Sequence, residues 1–230
     1  MMRAEARWLG KFLGALDPED LGVVLSVGSG TPTVRNTLQP WIGSSVFDPL
    51  AHRGVRVLHH ELEPGEGIDV AGDLMDETVI SQLRQLGVHT VLCLNVLEHV
   101  RDPRALATSL LATVAEGGRV VFTVPRRFPY HPDPLDSMLR PTPDQLQDLL
   151  PTSARVEGKG SIRCESLALH WVLKPRRLAV VAKAVRLAMH GTGPATSSQA
   201  SGRRSGFGET LRMACLSTES TYAVARNGGQ

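Results

Sequence analysis

Aromatic residues are scarce in this chain: Phe, Trp and Tyr together make up 4% of its 230 residues. Stacking platforms for nucleic-acid bases need aromatic rings, so this scarcity argues against nucleic acid as a partner. Only three cysteines occur, and no two of them form a Cys-x-x-Cys pair. The sequence therefore indicates neither a disulfide framework nor a zinc site, and it shows no other metal site.

Long apolar runs are also absent. The N-terminus has no apolar core of signal-peptide length. The most apolar C-terminal stretch, Leu178 to Met189, is shorter than a bilayer-spanning helix and carries Lys183 and Arg186. We therefore expect a cytoplasmic protein that either stays in solution or touches a membrane surface.

Charge is distributed unevenly, although the net charge is only +2. Residues 1–150 carry −6 and residues 151–230 carry +8. Residues 166–190 interleave apolar and basic side chains in the pattern of an amphipathic helix. Such a helix can lie on an anionic membrane, which would suit a lipid-linked substrate. The pattern favours the alternative, a helix packed on the sheet or on a partner subunit of a homodimer.

Short β-rich runs alternate with helical patterns along most of the chain, which predicts a parallel sheet with helices on both faces. Ligands of such sheets bind beyond the carboxyl ends of the strands. The predicted strands are 23–27, 55–62, 68–71, 88–94, 119–124, 154–158 and 221–226, and the predicted helices are 4–16, 78–86, 103–114 and 144–150.

Polar or glycine residues follow several of these strands. The Gly28-Ser29-Gly30 turn permits close approach of a ligand to the backbone, although an ordinary strand-to-helix turn looks the same. After the second strand, Glu61, or Glu63 in its place, can accept the two hydroxyls of a ribose. Asp73 is placed to bind an adenine amino group, whereas Asp76 can instead cap the next helix.

The fourth predicted strand ends in a second polar group. Asn95 follows its apolar run directly, and Glu98-His99 comes three residues later. Polar groups at this strand end line the cleft.

Taken in order, these motifs, together with Gly117-Gly118, resemble those of class I S-adenosylmethionine-dependent methyltransferases. Residues 128–136 and 140–143 resemble a branch that modifies sugars, polysaccharides or natural products. The resemblance implies a Rossmann-like, doubly wound α/β fold, with a mostly parallel seven-stranded sheet and one antiparallel strand at 221–226. It also implies S-adenosylmethionine as cofactor, contacted by Val27, Gly28, Ser29, Gly30, Glu61, Leu62, Asp73, Leu74, Asn95 and Val96.

The same resemblance suggests one methyltransferase domain over residues 1–230. Its parts are an N-terminal helix at 1–20, a cofactor-binding core at 21–164, a basic helical insert and mobile loop at 165–208, and the last strand at 209–230.

Two residues depart from the family pattern. Ser26 replaces the usual acidic residue, and Pro32 replaces the third glycine. An alternative is therefore a cofactor-binding scaffold that kept the fold and lost turnover. A nicotinamide-dependent oxidoreductase is a third reading, which the missing glycine at Thr33 disfavours.

Methyl transfer to oxygen requires that the acceptor lose a proton, and histidine is a suitable base near neutral pH. His131 is the first candidate because its loop follows the fifth strand, and His99 is the second. Both histidines also fit purely structural roles, with His99 oriented by Glu98. The expected acceptor is a small molecule, glycan or lipid-linked compound, and its candidate ligands are Tyr130, Asp136 and Arg140.

Overall fold

The structure of the chain is a computed structural model that describes residues 1–131, 135–167, 169 and 217–228. The chain divides into two compact units, one of residues 1–164 and 218–230, the other of residues 165–217. The predicted basic helix at 166–190 and the mobile loop at 191–208 fall almost entirely outside the described residues.

Seven strands form one sheet. They are β1 (Val23–Val27), β2 (Val57–Glu61), β3 (Val70–Ala71), β4 (Val88–Leu94), β5 (Arg119–Arg127), β6 (Ala154–Ser166) and β7 (Ser217–Asn227). The α-helices are α1 (Arg3–Gly14), α2 (Pro18–Leu21), α3 (Pro40–Ile42), α4 (Asp48–His52), α5 (Glu77–Gln85), α6 (Pro103–Thr113) and α7 (Pro143–Gln147). Two π-helical turns (Val34–Leu38 and Gly43–Phe47) and one 3-10 turn (Leu97–His99) complete the described elements.

The sheet order is β3-β2-β1-β4-β5-β7-β6. Strands β1 to β5 pair in parallel, and β7 pairs antiparallel with β5. This arrangement confirms the predicted fold class. Strands β2 and β3 lie on one side of β1, and strands β4 and β5 lie on the other. Such a switch point in the strand order opens a crevice at the carboxyl ends of β1 and β4.

Successive side chains of the central strands pack on opposite faces, as strand geometry requires. On one face, Leu25 and Val91 pack with helices α5 and α6, for example Leu83 and Leu110. On the other face, Val24 and its neighbours on β4, β5 and β7 pack with α1, α3 and α4. Both faces are therefore covered, which explains why β1, β4 and β5 read as apolar runs.

Local signals in the sequence account for the helix starts. Asp76 caps α5, since its Oδ1 accepts a hydrogen bond from the Thr78 amide at 2.8 Å, which confirms the capping role predicted for it. Asp102 caps α6 in the same way, through the Ala105 amide, and Pro103 occupies the first helical position.

Two regions differ from prediction. The helical turns between Val34 and His52 were not predicted, because Pro, Gly, Ser, Thr and Asn interrupt the helical pattern there. Strand β6 is 13 residues long, beyond the predicted 154–158, and its outer portion alternates between half-buried and exposed positions. Glycines at 158 and 160 conceal that alternation in the sequence. Among the described residues, no helix is both long and apolar enough to cross a membrane.

Candidate functional site

The glycine turn after β1 depends on two backbone conformations that favour glycine. Gly28 has φ +59° and Gly30 has φ +67°. A Cβ atom on Gly28 would lie 2.9 Å from Cγ2 of Val96, in the loop that follows β4. The turn therefore packs directly against the loop at the end of the neighbouring strand.

Glu61, the last residue of β2, is joined to this turn. Its Oε1 accepts a hydrogen bond from the Gly30 amide at 2.6 Å, while the Ser29 amide donates to the His60 carbonyl at 3.1 Å. Glu61 is half-buried, and its second carboxylate oxygen has no hydrogen-bond partner among the described residues. The adjacent Leu62 side chain is 65% exposed. A hydrogen-bond acceptor and an apolar surface thus stand side by side at this edge.

Arg35 is a residue of the site that sequence reasoning missed. Its buried guanidinium donates through Nη1 to Ser29 Oγ at 2.6 Å and to the Gly30 carbonyl, and through Nη2 to the Gly67 carbonyl at 3.2 Å. These hydrogen bonds hold the glycine turn in place. Only recognition of the helical turns after residue 33 could have placed Arg35 there.

The Ser29 side chain also joins the glycine turn to strand β2. Because Arg35 donates to Ser29 Oγ, the Ser29 hydroxyl is left to donate to Nδ1 of His59, 2.7 Å away. Burial lowers the pKa of His59 to about 4, and the positive charge of Arg35 acts in the same direction. His59 is therefore neutral at pH 7, as an accepting Nδ1 requires.

Asp73 and Leu74 follow the short strand β3 and differ in exposure. Asp73 is exposed, and its Oδ1 accepts a hydrogen bond from the Met75 amide at 2.9 Å. The Leu74 side chain is buried in the core, and its carbonyl accepts a hydrogen bond from Ser109. Asp73 can therefore reach a ligand through its side chain, and Leu74 only through its main chain.

Asn95 ends β4 in a left-handed conformation, with φ +55°. Its side-chain Nδ2 donates to Oε1 of Glu5 at 2.8 Å, and the Thr123 hydroxyl donates to the same oxygen. Glu5 lies on α1 and is 1% exposed. This carboxylate, also missed by sequence reasoning, holds the N-terminal helix against the ends of β4 and β5.

Three side chains that can each offer an electron pair converge beside this strand end. Glu98 and His99 come from the 3-10 turn after β4, and His131 comes from the segment after β5. One potential ligand atom from each lies within 4.8 Å of the other two. The rings of His99 and His131 meet edge to face, with centroids 5.2 Å apart. The structure therefore brings together both predicted catalytic histidines, with a carboxylate that was predicted only to orient His99.

Glu98 is fully buried, and neither carboxylate oxygen has a hydrogen-bond partner on another described residue. Nε2 of His99 lies 3.7 Å from Oε1. Burial raises the pKa of Glu98 to about 8, and the negative charge of Glu5 adds to this effect. Glu98 is thus an unpaired buried acid, which calls for a specific explanation.

His131 is oriented by Asp136 and Arg140. Its Nδ1 lies 3.1 Å from Oδ2 of Asp136 and 3.1 Å from the Pro129 carbonyl. Arg140 donates to both oxygens of the same carboxylate, at 2.7 and 3.1 Å. Burial alone would raise the pKa of Asp136, but the hydrogen bonds from Arg140 and the main chain hold it well below its usual range. His131 therefore stands beside an ionised carboxylate.

Segment 135–140 is also tied to the 3-10 turn. Ser137 donates through both its amide and its hydroxyl to the Glu98 carbonyl, and Nδ1 of His99 lies at hydrogen-bond distance from the Leu135 carbonyl. Of the three predicted acceptor ligands, Asp136 and Arg140 pair with each other, whereas Tyr130 is 61% exposed. Their binding to an acceptor stays a prediction.

A family model described as a methyltransferase domain matches residues 2–174 of the chain. No curated protein matches the chain in sequence.

Solved structures with the same fold include several methyltransferases. A protein from Bacillus halodurans described as a methyltransferase has a TM-score of 0.52 at 15% identity, with 96% of this chain and 97% of that chain covered. Coclaurine N-methyltransferase, solved with N-methylheliamine and S-adenosylhomocysteine, has a TM-score of 0.51 at 11% identity, with 97% and 70% covered. A Haloferax volcanii protein described as a methyltransferase, solved in complex with a methyltransferase activator, has a TM-score of 0.50 at 13% identity, with 98% and 91% covered. At these identities the likeness concerns the fold.

Proposed function

Because the chain belongs to the methyltransferase-domain family and is a class I S-adenosylmethionine-dependent methyltransferase, we propose that it methylates an oxygen atom of a small-molecule, glycan or lipid-linked acceptor. As part of this proposal we assign the whole of residues 1–230 to one methyltransferase domain. S-adenosylmethionine supplies an electrophilic methyl group on a sulfonium centre, so the protein has to position the acceptor and promote loss of its proton.

The residues at the carboxyl edge fit this cofactor. The unpaired oxygen of Glu61 suits a ribose hydroxyl, and the exposed side chains of Leu62 and Met75 offer apolar surface to an adenine ring. The exposed carboxylate of Asp73 suits the adenine amino group. Pro32 stands where the family pattern has its third glycine. Hydrogen bonds from Arg35 to Ser29 and Gly30 hold the turn beside that departure from the pattern.

His131 is the observation that carries the choice of an oxygen acceptor. Its Nδ1 faces the Asp136 carboxylate, so its proton lies there and Nε2 keeps a lone pair. A hydroxyl group needs such an electron-pair donor to lose its proton at neutral pH, whereas an unprotonated amine is already nucleophilic. We propose His131 as the residue that promotes this loss, assisted by His99, with Asp136 and Arg140 as positioning residues.

The test is to assay untagged protein for S-adenosylhomocysteine release. It uses pairs of acceptors that differ only in carrying a hydroxyl or an amino group, drawn from phenols, sugars and polyprenyl compounds. We expect turnover with hydroxyl members and a loss of about 100-fold or more in His131→Asn. Cofactor affinity should be unchanged, and the exposed His52→Asn serves as control. Turnover confined to amines, or full activity of His131→Asn, would contradict the proposal. Cofactor binding without turnover of any acceptor would instead favour the scaffold alternative.

A further inference from the structure

We propose that Glu98, His99 and His131 form a binding site for one divalent transition-metal ion. Binding of the ion stands on the geometry of these three side chains. Its role in catalysis rests on the proposed function, because the ion would act on the acceptor's oxygen.

The donor set is that of a metal centre with open positions. Two imidazoles and one carboxylate converge, with one ligand atom of each within 4.8 Å of the others. Two histidines and one acidic side chain are a common ligand set of catalytic zinc, and a related set holds non-haem iron. The remaining coordination positions would be open to water or to an acceptor.

Both imidazoles are already oriented as ligands need to be. Nδ1 of His131 faces Asp136 Oδ2 and the Pro129 carbonyl, and Nδ1 of His99 faces the Leu135 carbonyl. Each Nδ1 therefore carries the ring proton, which leaves the lone pair on Nε2. Metal-binding histidines are held in this way, by a carboxylate or a carbonyl on the nitrogen that does not bind the metal.

The third ligand is the strongest observation. Both Glu98 oxygens are buried without a hydrogen-bond partner on another described residue, and one nitrogen of each histidine lies within 4.8 Å of this carboxyl group. Burial of polar atoms without a hydrogen-bond partner is costly, because no water replaces the missing partner. A cation between the three side chains would supply that partner.

The surrounding charges allow a dication. Arg140 donates hydrogen bonds to both oxygens of the Asp136 carboxylate, so that pair is neutral overall. Glu5 lies near Glu98, so two acidic side chains face this strand end and favour a cation there.

The ion would give the site its chemistry. Binding of the acceptor's hydroxyl oxygen to the ion lowers the pKa of that hydroxyl, and its proton leaves to water. The deprotonated acceptor oxygen then forms the new bond to the methyl carbon of S-adenosylmethionine. The electron pair of the broken carbon–sulfur bond stays on sulfur. The products are a methyl ether and S-adenosylhomocysteine, and no oxidant or reductant is needed. In this form His131 promotes proton loss as a metal ligand.

The experiment titrates chelator-treated, untagged protein with Co²⁺, followed by visible absorbance, and with Zn²⁺, followed by calorimetry. Neither cofactor nor acceptor is present. We expect one ion per chain and d–d absorption bands in the range of nitrogen and oxygen ligands. Glu98→Gln and His131→Asn should each weaken binding at least tenfold. Asp136→Asn, which leaves every ligand in place, should weaken it by about 10- to 100-fold.

His52→Asn is the matched control, because His52 is exposed on α4 and remote in sequence from the cluster. It should bind as the unaltered protein does. Should Glu98→Gln unfold, His131→Asn gives the same test at a half-buried position. Failure of the unaltered protein to bind either ion, or equal binding by a folded His131→Asn, would overturn the site. The acceptor assay described under the proposed function, run separately, shows whether methyl transfer to oxygen fails independently of metal binding.

Discussion

The two halves of the site are built differently. In the cofactor half (Gly28, Ser29, Gly30, Arg35 and Glu61), most hydrogen bonds join side chains to main-chain groups or main-chain groups to each other. In the acceptor half, named for its proposed role (Glu98, His99, His131, Asp136 and Arg140), charged and ionisable side chains face one another, and the Glu98 carboxyl oxygens have no hydrogen-bond partner on another described residue. The proposed cofactor contacts therefore depend mostly on main-chain geometry, whereas the proposed chemistry on the acceptor depends on side chains from separate loops.

The largest effect is expected beside the acceptor half, where the ends of β4 and β5 are joined to the N-terminal helix. Glu5→Ala leaves the half-buried Asn95 amide and the buried Thr123 hydroxyl without their acceptor, so the free energy of unfolding should fall by about 3 kcal/mol. Urea unfolding measures this. The exposed Glu19→Ala should stay within about 0.5 kcal/mol of the unaltered protein. Equal effects of the two changes would mean that Glu5 does not anchor α1.

A second change examines the junction of the two halves. Gly28→Ala combines a strained φ of +59° with a contact of 2.9 Å to Val96, and should cost about 2 kcal/mol. Gly87→Ala has a similar φ, +72°, but no atom within 4 Å, and isolates the strain. Gly14→Ala has neither and should be neutral. If Gly28→Ala and Gly87→Ala cost the same, the close packing on Val96 contributes nothing.

The smallest effect concerns His59 in the cofactor half, which faces Ser29, Arg35 and Asp69. Because burial and Arg35 lower its pKa to about 4, the unfolded chain binds a proton at this ring first, below about pH 6.5. Stability is therefore full above pH 6.5 and declines as the pH falls towards 4.

The loss should be about 1 kcal/mol, reduced from the full shift because the ring is partly exposed. Urea unfolding of His59→Asn at pH 7 and pH 4.5 should show a shallower decline than the unaltered protein, while His52→Asn keeps the original one. An unchanged decline in His59→Asn would mean that the hydrogen-bonded chain from Arg35 to His59 does not contribute to the pH dependence of stability.

The same contrast explains which features of the fold and the site could be predicted from the sequence. Strand β4 was predicted with its observed bounds, and the glycine turn was found, because apolar runs and glycines are local signals. Glu5 could not be found, since its partners Asn95 and Thr123 lie 90 and 118 residues away. His131 was found from its place after β5, but its pairing with Asp136 depends on how the loop folds back.

The central claim is that the carboxyl edge of β1 and β2 binds S-adenosylmethionine through Glu61, and calorimetric titration tests it most directly. The unaltered protein should bind S-adenosylmethionine and S-adenosylhomocysteine with micromolar affinity. Glu61→Ala should weaken both about tenfold or more, because a charged hydrogen-bond acceptor is lost. Glu63→Ala, an exposed neighbour in the same turn, should bind normally. Failure of the unaltered protein to bind either ligand, or normal binding by Glu61→Ala, would contradict the account.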